Sequence, residues 1–344
     1  MKEKSGFEWG KFIQKYAVIF VWIALIIVYS VIMPDTFATW NNITTMLGSK
    51  AVVVVLALAI MVPLIGGDYD MSVAANMTLT SMMIAIMNVW WHLPIIVSII
   101  LALIIASAIG AINGFFSAIL DINPFVITMG MQTLITGMII LISNSMTITG
   151  VDKNLVEAVY SGRIFGISPV FFYAIIIAFF LFYFFSFTAA GRRVLIVGRG
   201  KNVARLSGIN VKRVRFLCFT SAGLLSGIAG VLQLGILGAA STNSGLSYLM
   251  PAFAAVYLSS TVISVGKFNP WGCVVAVYFL VTGTTGLSLL GINSAIQDIF
   301  YGAALIVAIV VSVLVERGQS KHELKAVIAA EKQQNKKEVA INRA

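Results

Sequence analysis

An all-α integral membrane protein is the fold class this sequence predicts, and three observations carry it. Of 344 residues, 59% are hydrophobic and only 10% are charged, whereas a soluble domain carries roughly 25% charged residues. A chain so short of charge cannot cover a globule. Apolar runs near bilayer length recur along it, at 16–33, 48–65, 71–89, 93–112, 125–142, 169–187, 216–238, 250–265, 271–289 and 295–315, which gives about ten transmembrane helices. The cations are unevenly placed. All 23 lysines and arginines except Lys50, Lys153 and Arg163 fall in the two tails, the 188–215 loop or the turn at Lys267. An even span count puts those segments on one side, and the positive-inside rule makes that side, with both termini, cytoplasmic. The net charge of +10 is therefore a topology signal, with no nucleic-acid partner implied.

Residues 1–15 read as a cytoplasmic tail and 16–315 as one transmembrane domain. Pro34-Asp35 follows the first run where a cleavage site would need small residues, so that run reads as an uncleaved span. The second and third runs are joined by Gly66-Gly67-Asp68-Tyr69-Asp70-Met71-Ser72. One reading is a tight cytoplasmic turn in which Asp70 or Ser72 caps the next helix. The other is a broken helix whose end lines a cavity, where irregular backbone is tolerated. Trp90, Trp91 and His92 cluster at an outer span end and read as interfacial anchors. Asn113-Gly114 through Asp121-Ile122-Asn123-Pro124 reads as another cytoplasmic turn, with Pro124 in the first turn of the fifth span.

The external loop 143–168 is long enough to form a surface, either a solvated connector or a dock for an external partner. Gly110 with Gly114, and Gly223 with Gly227, have the four-residue spacing at which helices approach closely in lipid. Cys218 and Cys273 each lie in an apolar run and read as core. The tail 316–344 is charged with mixed sign and reads as solvated.

Amides and hydroxyls punctuate the spans, among them Asn76, Thr78, Thr80, Thr128, Gln132, Thr133, Thr136, Gln233 and Thr282. The span centres as drawn hold no Lys or Arg. An uncharged polar lining suits a neutral hydroxylated solute, whereas an ion pathway places ionisable groups at depth. Hydrogen bonding between helices is the competing reading. Candidates for the pathway are Asp68, Asp70, Asn76, Thr128, Gln132 and Thr133.

The loop 188–215 holds eight cations between Arg192 and Arg215 and no acid. Lys201 to Ile209 contains no proline and predicts a short helix beneath the membrane. Val194 to Gly200 mimics the strand and glycine turn of a dinucleotide site, but the third glycine falls at Val203 and the loop has no room for a sheet. Gly266-Lys267 lacks the rest of a phosphate loop, and two histidines outside the spans leave no catalytic triad. The expectation is no catalytic residue, no metal and no cofactor in this chain. It reads as a pathway-forming body whose energy comes from elsewhere.

At this point the residues resemble a family. Asn202 to Lys212, after Gly191-Arg192 and before a glycine-rich apolar helix, is similar to the coupling segment of ABC importer permeases of the ribose, xylose and arabinose type. Gly66 to Val73 resembles that branch's GG-D-LSVG signature. Asn113-Gly114, Ile122 to Gly130 and Leu289 to Ile292 resemble further blocks, and the likeness runs from about residue 40 to 315. Gly66, Gly67, Asn113, Gly114, Asn123 and Pro124 are its structural positions. There are departures. Lys201-Asn202 stand where the family usually has acidic residues, and Leu258 to Ser264 replace an expected Gly-Gly-Thr-Ser block.

The resemblance implies a multi-pass permease of the bacterial cytoplasmic (inner) membrane. Its partners would be a second permease copy or homologue, an extracytoplasmic solute-binding protein, membrane lipid, and ABC ATPase subunits that bind ATP and Mg. ATPase coupling would fall to Asn202, Ala204, Arg205, Leu206, Ser207, Gly208 and Ile209. Leu206 and Ile209 would be the apolar anchors and Arg205 would sit at the rim. The cargo would be a monosaccharide or polyol, with an amino acid, a nucleoside or an autoinducer as alternatives within the family. An ion-coupled secondary carrier is the alternative outside it.

Overall fold

The computed structural model describes residues 9–311. The readings for residues 1–8 and 316–344 lie outside the described residues. The chain is almost entirely helical. It comprises α1 (Trp9–Ile32), α2 (Trp40–Ser49), α3 (Ala51–Ile65), α4 (Val73–Ala85), α5 (Ile95–Gly114), α6 (Pro124–Ser143) and the short α7 (Lys153–Val156). It continues with α8 (Pro169–Phe187), α9 (Ala189–Arg199), α10 (Lys201–Leu206), α11 (Val211–Leu237), α12 (Leu246–Ser259) and α13 (Pro270–Leu289), and ends with α14 (Ser294–Val311). Single π-helical turns extend α4, α5 and α7.

Eight helical stretches among the described residues are long and apolar enough to cross a membrane. The two shorter apolar helices, Val18–Ile32 and Leu246–Ser259, fall on the first and eighth apolar runs. Several boundaries differ from the sequence reading: α1 begins at Trp9, inside the expected 1–15 tail, and α11 begins at Val211 rather than 216. The second run begins earlier, because α2 and α3 form one stretch from Trp40 to Ile65 that turns at Lys50. Lys50, near the start of the 48–65 run and counted with the external cations, thus falls in the middle of the longer stretch. The eighth run ends earlier, at Ser259. There the Asn269 amide takes over the carbonyls of Ser259 and Val262 at 3.0 Å each and holds the following turn.

The core is α3. Its sequence, AVVVVLALAIMVPLI, is apolar on every side, and all of its residues are buried, as expected of a helix with no polar face. α4 and α11 pack beside it. α5 and α11 cross where Gly110 faces Gly223, and a Cβ on either would run into the carbonyl of Phe219 or Ala106. Both four-residue glycine pairs thus lie at this crossing. The 143–168 loop is tied to the bundle: β1 (Ile148–Thr149) pairs antiparallel with β2 (Ala239–Ala240), just after the C-terminal end of α11.

Candidate functional site

The 188–215 loop folds as two helices where the sequence predicts one. α9 starts at Thr188, whose hydroxyl accepts from the Gly191 amide at 3.0 Å. It buries Val194 and Val197 and exposes Arg192, Arg193 and Arg199, so it is amphipathic. It crosses the end of α3 at Gly198, where a Cβ would strike the Ile65 carbonyl. The segment that mimics a strand, Val194 to Gly200, is therefore mostly helix.

Gly200 then breaks the chain, and α10 follows for six residues. It ends before the predicted Ile209 because Gly208 turns left-handed, at φ +76°. The Ile209 amide bonds back to the Ala204 carbonyl and the Gly208 amide to that of Arg205, both at 3.0 Å. This is the Schellman pattern, which needs glycine or a tolerated strain at that position.

These bonds divide the coupling candidates. Ala204 is wholly buried against Val197 and Val211, and Ile209 packs back on the same small cluster. Asn202, Arg205, Ser207 and Gly208 are exposed. The apolar side chains that project are Leu206, 90% exposed, and Val203, 64% exposed. Ile209, expected to project as an anchor, thus turns inward, and Val203 takes the outward position three residues before Leu206.

An ion cluster joins this segment to the bundle. The Asp68 carboxylate is buried in the turn made by Gly66 and Gly67, the latter at φ +82°. It accepts from Arg215 Nε at 2.6 Å, Arg215 Nη2 at 3.1 Å and Lys201 Nζ at 3.0 Å. Arg215 Nη1 also donates to Asp121 at 2.9 Å. That hydrogen bond and charge hold the exposed Asp121 carboxyl below the usual range. Four elements meet here: the turn after α3, the turn before α6, α10 and the base of α11.

Beside it, Asp70 Oδ1 accepts from the Ser72 amide at 2.9 Å and the Ser72 hydroxyl at 2.6 Å. Asn113 Nδ2 donates to the same hydroxyl at 2.8 Å. Burial pushes the Asp70 carboxyl up to about 6, against the Ser72 hydrogen bonds that lower it. Thr128 accepts from the Met71 amide at 3.0 Å. The Asn123 side chain caps α6 by accepting from the Phe125 amide at 3.0 Å, with Pro124 in the first turn. Asn76 donates to the carbonyls of Ala106 and Gly223 and, at 2.8 Å, to the Ser226 hydroxyl. Four of the six pathway candidates, Asp68, Asp70, Asn76 and Thr128, are thus buried and bonded within the protein.

Gln132 and Thr133 lie on α6, which buries little of its surface. Thr133 is exposed, and a Cβ at Gly130 or Gly137 would meet nothing within 4 Å. In the turn that holds Asp68 and Asp70, the Tyr69 hydroxyl meets that of Tyr257 on α12 at 2.9 Å in an exposed pair. Sequence reasoning singled out neither tyrosine, and gave Arg215 and Asp121 no role in the site. One signal was present for Arg215. A cation just inside a helix N-terminus works against the helix dipole and calls for an acidic partner.

The comparisons with known proteins agree with this architecture. A family model described as "Branched-chain amino acid transport system / permease component" matches residues 42–309. The chain belongs to this permease family. It is 26% identical to the D-allose transport system permease protein AlsC of Escherichia coli K12, over 92% of this chain and 96% of that one. It is 30% identical to the probable ABC transporter permease protein YphD of the same strain, over 91% and 93%. It is 29% identical to the ribose import permease protein RbsC of Haemophilus influenzae, over 89% and 95%. No solved structure matches the chain. The permease is a multi-pass protein of the bacterial inner membrane.

Proposed function

We propose that this permease carries a monosaccharide or similar small hydroxylated solute, delivered by an extracytoplasmic binding protein, through an ABC importer. The relatives that transport D-allose and import ribose, matched over nearly their whole length, support that cargo class. Ten spans with both termini cytoplasmic follow from the charge asymmetry and from the two shorter apolar helices, taken as spans. Two permease chains form the pathway, and the open face of α6 with Gln132 and Thr133 contributes its polar lining. ATP, with Mg, is bound and hydrolysed by separate ATPase subunits.

One observation carries the coupling role. α10 presents Val203 and Leu206 outward while Lys201 ties its base to the buried Asp68. An apolar pair on a short, anchored helix suits insertion into a partner's groove, because anchoring turns a push into movement of the bundle. The test is sugar uptake by cells expressing Leu206→Asp together with the ATPase and binding protein. Uptake is expected to fall at least about tenfold, since desolvating a carboxylate in an apolar groove costs well over 1.4 kcal/mol. The affinity of the binding protein for its sugar should not change. Full uptake by the variant sinks the coupling role.

A further inference from the structure

A second feature of the 188–215 region lies on the membrane-facing side of the coupling segment. Between α9 and α11, with single residues of α3, α5 and α8 on its walls, lies a cavity of about 860 Å3, within the roughly 300–1,000 Å3 of small-molecule sites. Much of its wall is apolar, with Val62, Phe184, Leu217 and Leu224 among the lining residues. The hydroxyls that line it donate to nearby backbone carbonyls: Ser107 to Leu103, Ser207 to Val203, Thr220 to Phe216 and Ser221 to Cys218, at 2.8–3.0 Å. They therefore ask nothing of an occupant. The coupling turn, Ser207 to Asn210, closes one end, and at that end stand Arg193 and Arg213.

These two arginines are the unexplained part. α11 opens with Val211-Lys212-Arg213-Val214-Arg215 and has no acid in its first turn. A helix N-terminus favours anions, so three cations there oppose the dipole. Arg215 is answered by Asp68 and Asp121, and Lys212 by the Ile119 carbonyl at 3.1 Å. Among the described residues no carboxylate pairs with Arg213 or with Arg193. An anion at this mouth would satisfy both guanidinium groups and the end of the helix.

The dimensions say what kind of anion. From Arg213 to Leu224 the groove follows α11 for eleven residues, about 16 Å at 1.5 Å per residue. One leaflet of a bilayer is about 15 Å of hydrocarbon. The groove is thus charged at headgroup level and apolar to the midplane. We propose that it holds one anionic phospholipid of the inner leaflet, its phosphate on Arg193 and Arg213 and an acyl chain along Leu217 and Leu224. The lipid would brace the coupling turn from the membrane side. The proposal rests on the cytoplasmic placement of the 188–215 loop and not on the ATPase contact.

The test is native mass spectrometry of the full chain in detergent, offered phosphatidylglycerol or phosphatidylcholine with matched acyl chains. The natural chain is expected to retain phosphatidylglycerol in preference. The double variant Arg193→Gln/Arg213→Gln should lose that preference about thirtyfold, at roughly a factor of five per cation near an anionic surface. Arg192→Gln, on α9 but outside the groove, should keep it, and Ser221→Phe, which fills the groove, should lose it. Helical circular dichroism and monodispersity confirm that each variant is folded. Three results would overturn the proposal: equal retention of the two lipids by the natural chain, an equal loss in Arg192→Gln, or displacement of bound lipid by inorganic phosphate alone. None of these bears on uptake, so the outcome is independent of the Leu206 experiment.

Discussion

Asp68 serves two cations of different standing. Arg215 meets it through two nitrogens, and both side chains are almost fully buried. Removing one partner of a buried pair leaves an uncompensated charge and costs about 3–5 kcal/mol. Lys201 meets the same carboxylate with its side chain 41% exposed, and an exposed pair of that kind contributes at most about 1 kcal/mol. The Arg215 arm therefore holds the fold, and the Lys201 arm can be released. In detergent, Arg215→Met is expected to lower thermal stability strongly and Lys201→Met hardly at all, while both change the coupling of uptake to ATP hydrolysis. Equal loss of stability in the two variants would contradict this division. Lys201 also gives a physical sense to a departure seen in the sequence. Where the family usually carries an acid, this chain places the cation that reaches Asp68.

The α5–α11 crossing is where small residues decide the geometry of two elements. Gly110 and Gly223 meet backbone to backbone, so any side chain there separates the helices. Lipid offers no substitute once they part, because close packing is what holds helices together in a bilayer. Gly223→Leu is expected to cost more than the 1–3 kcal/mol typical of overpacking, because the obstacle is backbone. Its yield of monodisperse protein in detergent extracts should collapse. Gly137→Ala on α6, where a Cβ meets nothing, should leave the yield unchanged or higher, since alanine is the better helix former by about 1 kcal/mol. A normal yield for Gly223→Leu would refute the close crossing. The same reasoning separates α10 from a longer helix, since Gly208 ends it through backbone bonds and without packing.

In the whole molecule, burial is distributed very unevenly among helices of similar composition. The second span is 89% inside the bundle, α6 only 17% and α14 only 6%. Outer helices of an isolated subunit face either lipid or another chain. α6 differs from a purely lipid-facing helix in carrying Gln132 and Thr133 with two glycines on its surface. With Cys218 and Cys273 replaced, Thr133→Cys is expected to react with a small hydrophilic maleimide in the assembled importer. Ile104→Cys on α5, a site that is also exposed in the single chain, should not react. Equal reactivity at the two positions would remove α6 from the pathway.

Much of the architecture was legible in order along the chain. Apolar runs, glycine spacing and Pro124 at a helix start are local signals, read within a few residues, because lipid demands continuous apolar helices with internal hydrogen bonds. The short helix within 188–215 and the two turns around Asp68 and Asp121 were legible in the same way. The ion cluster was not, because Asp68 and Arg215 stand 147 residues apart and nothing local pairs them. Nor could composition tell α3 from α6, or Ile209 from Val203. In a membrane protein every span is apolar whether it faces lipid, core or partner, so hydropathy carries the number of helices but not their neighbours. Only packing decided which polar residues are bonded within the protein, which way α10 turns its apolar side chains, and that Arg193 and Arg213 line one cavity.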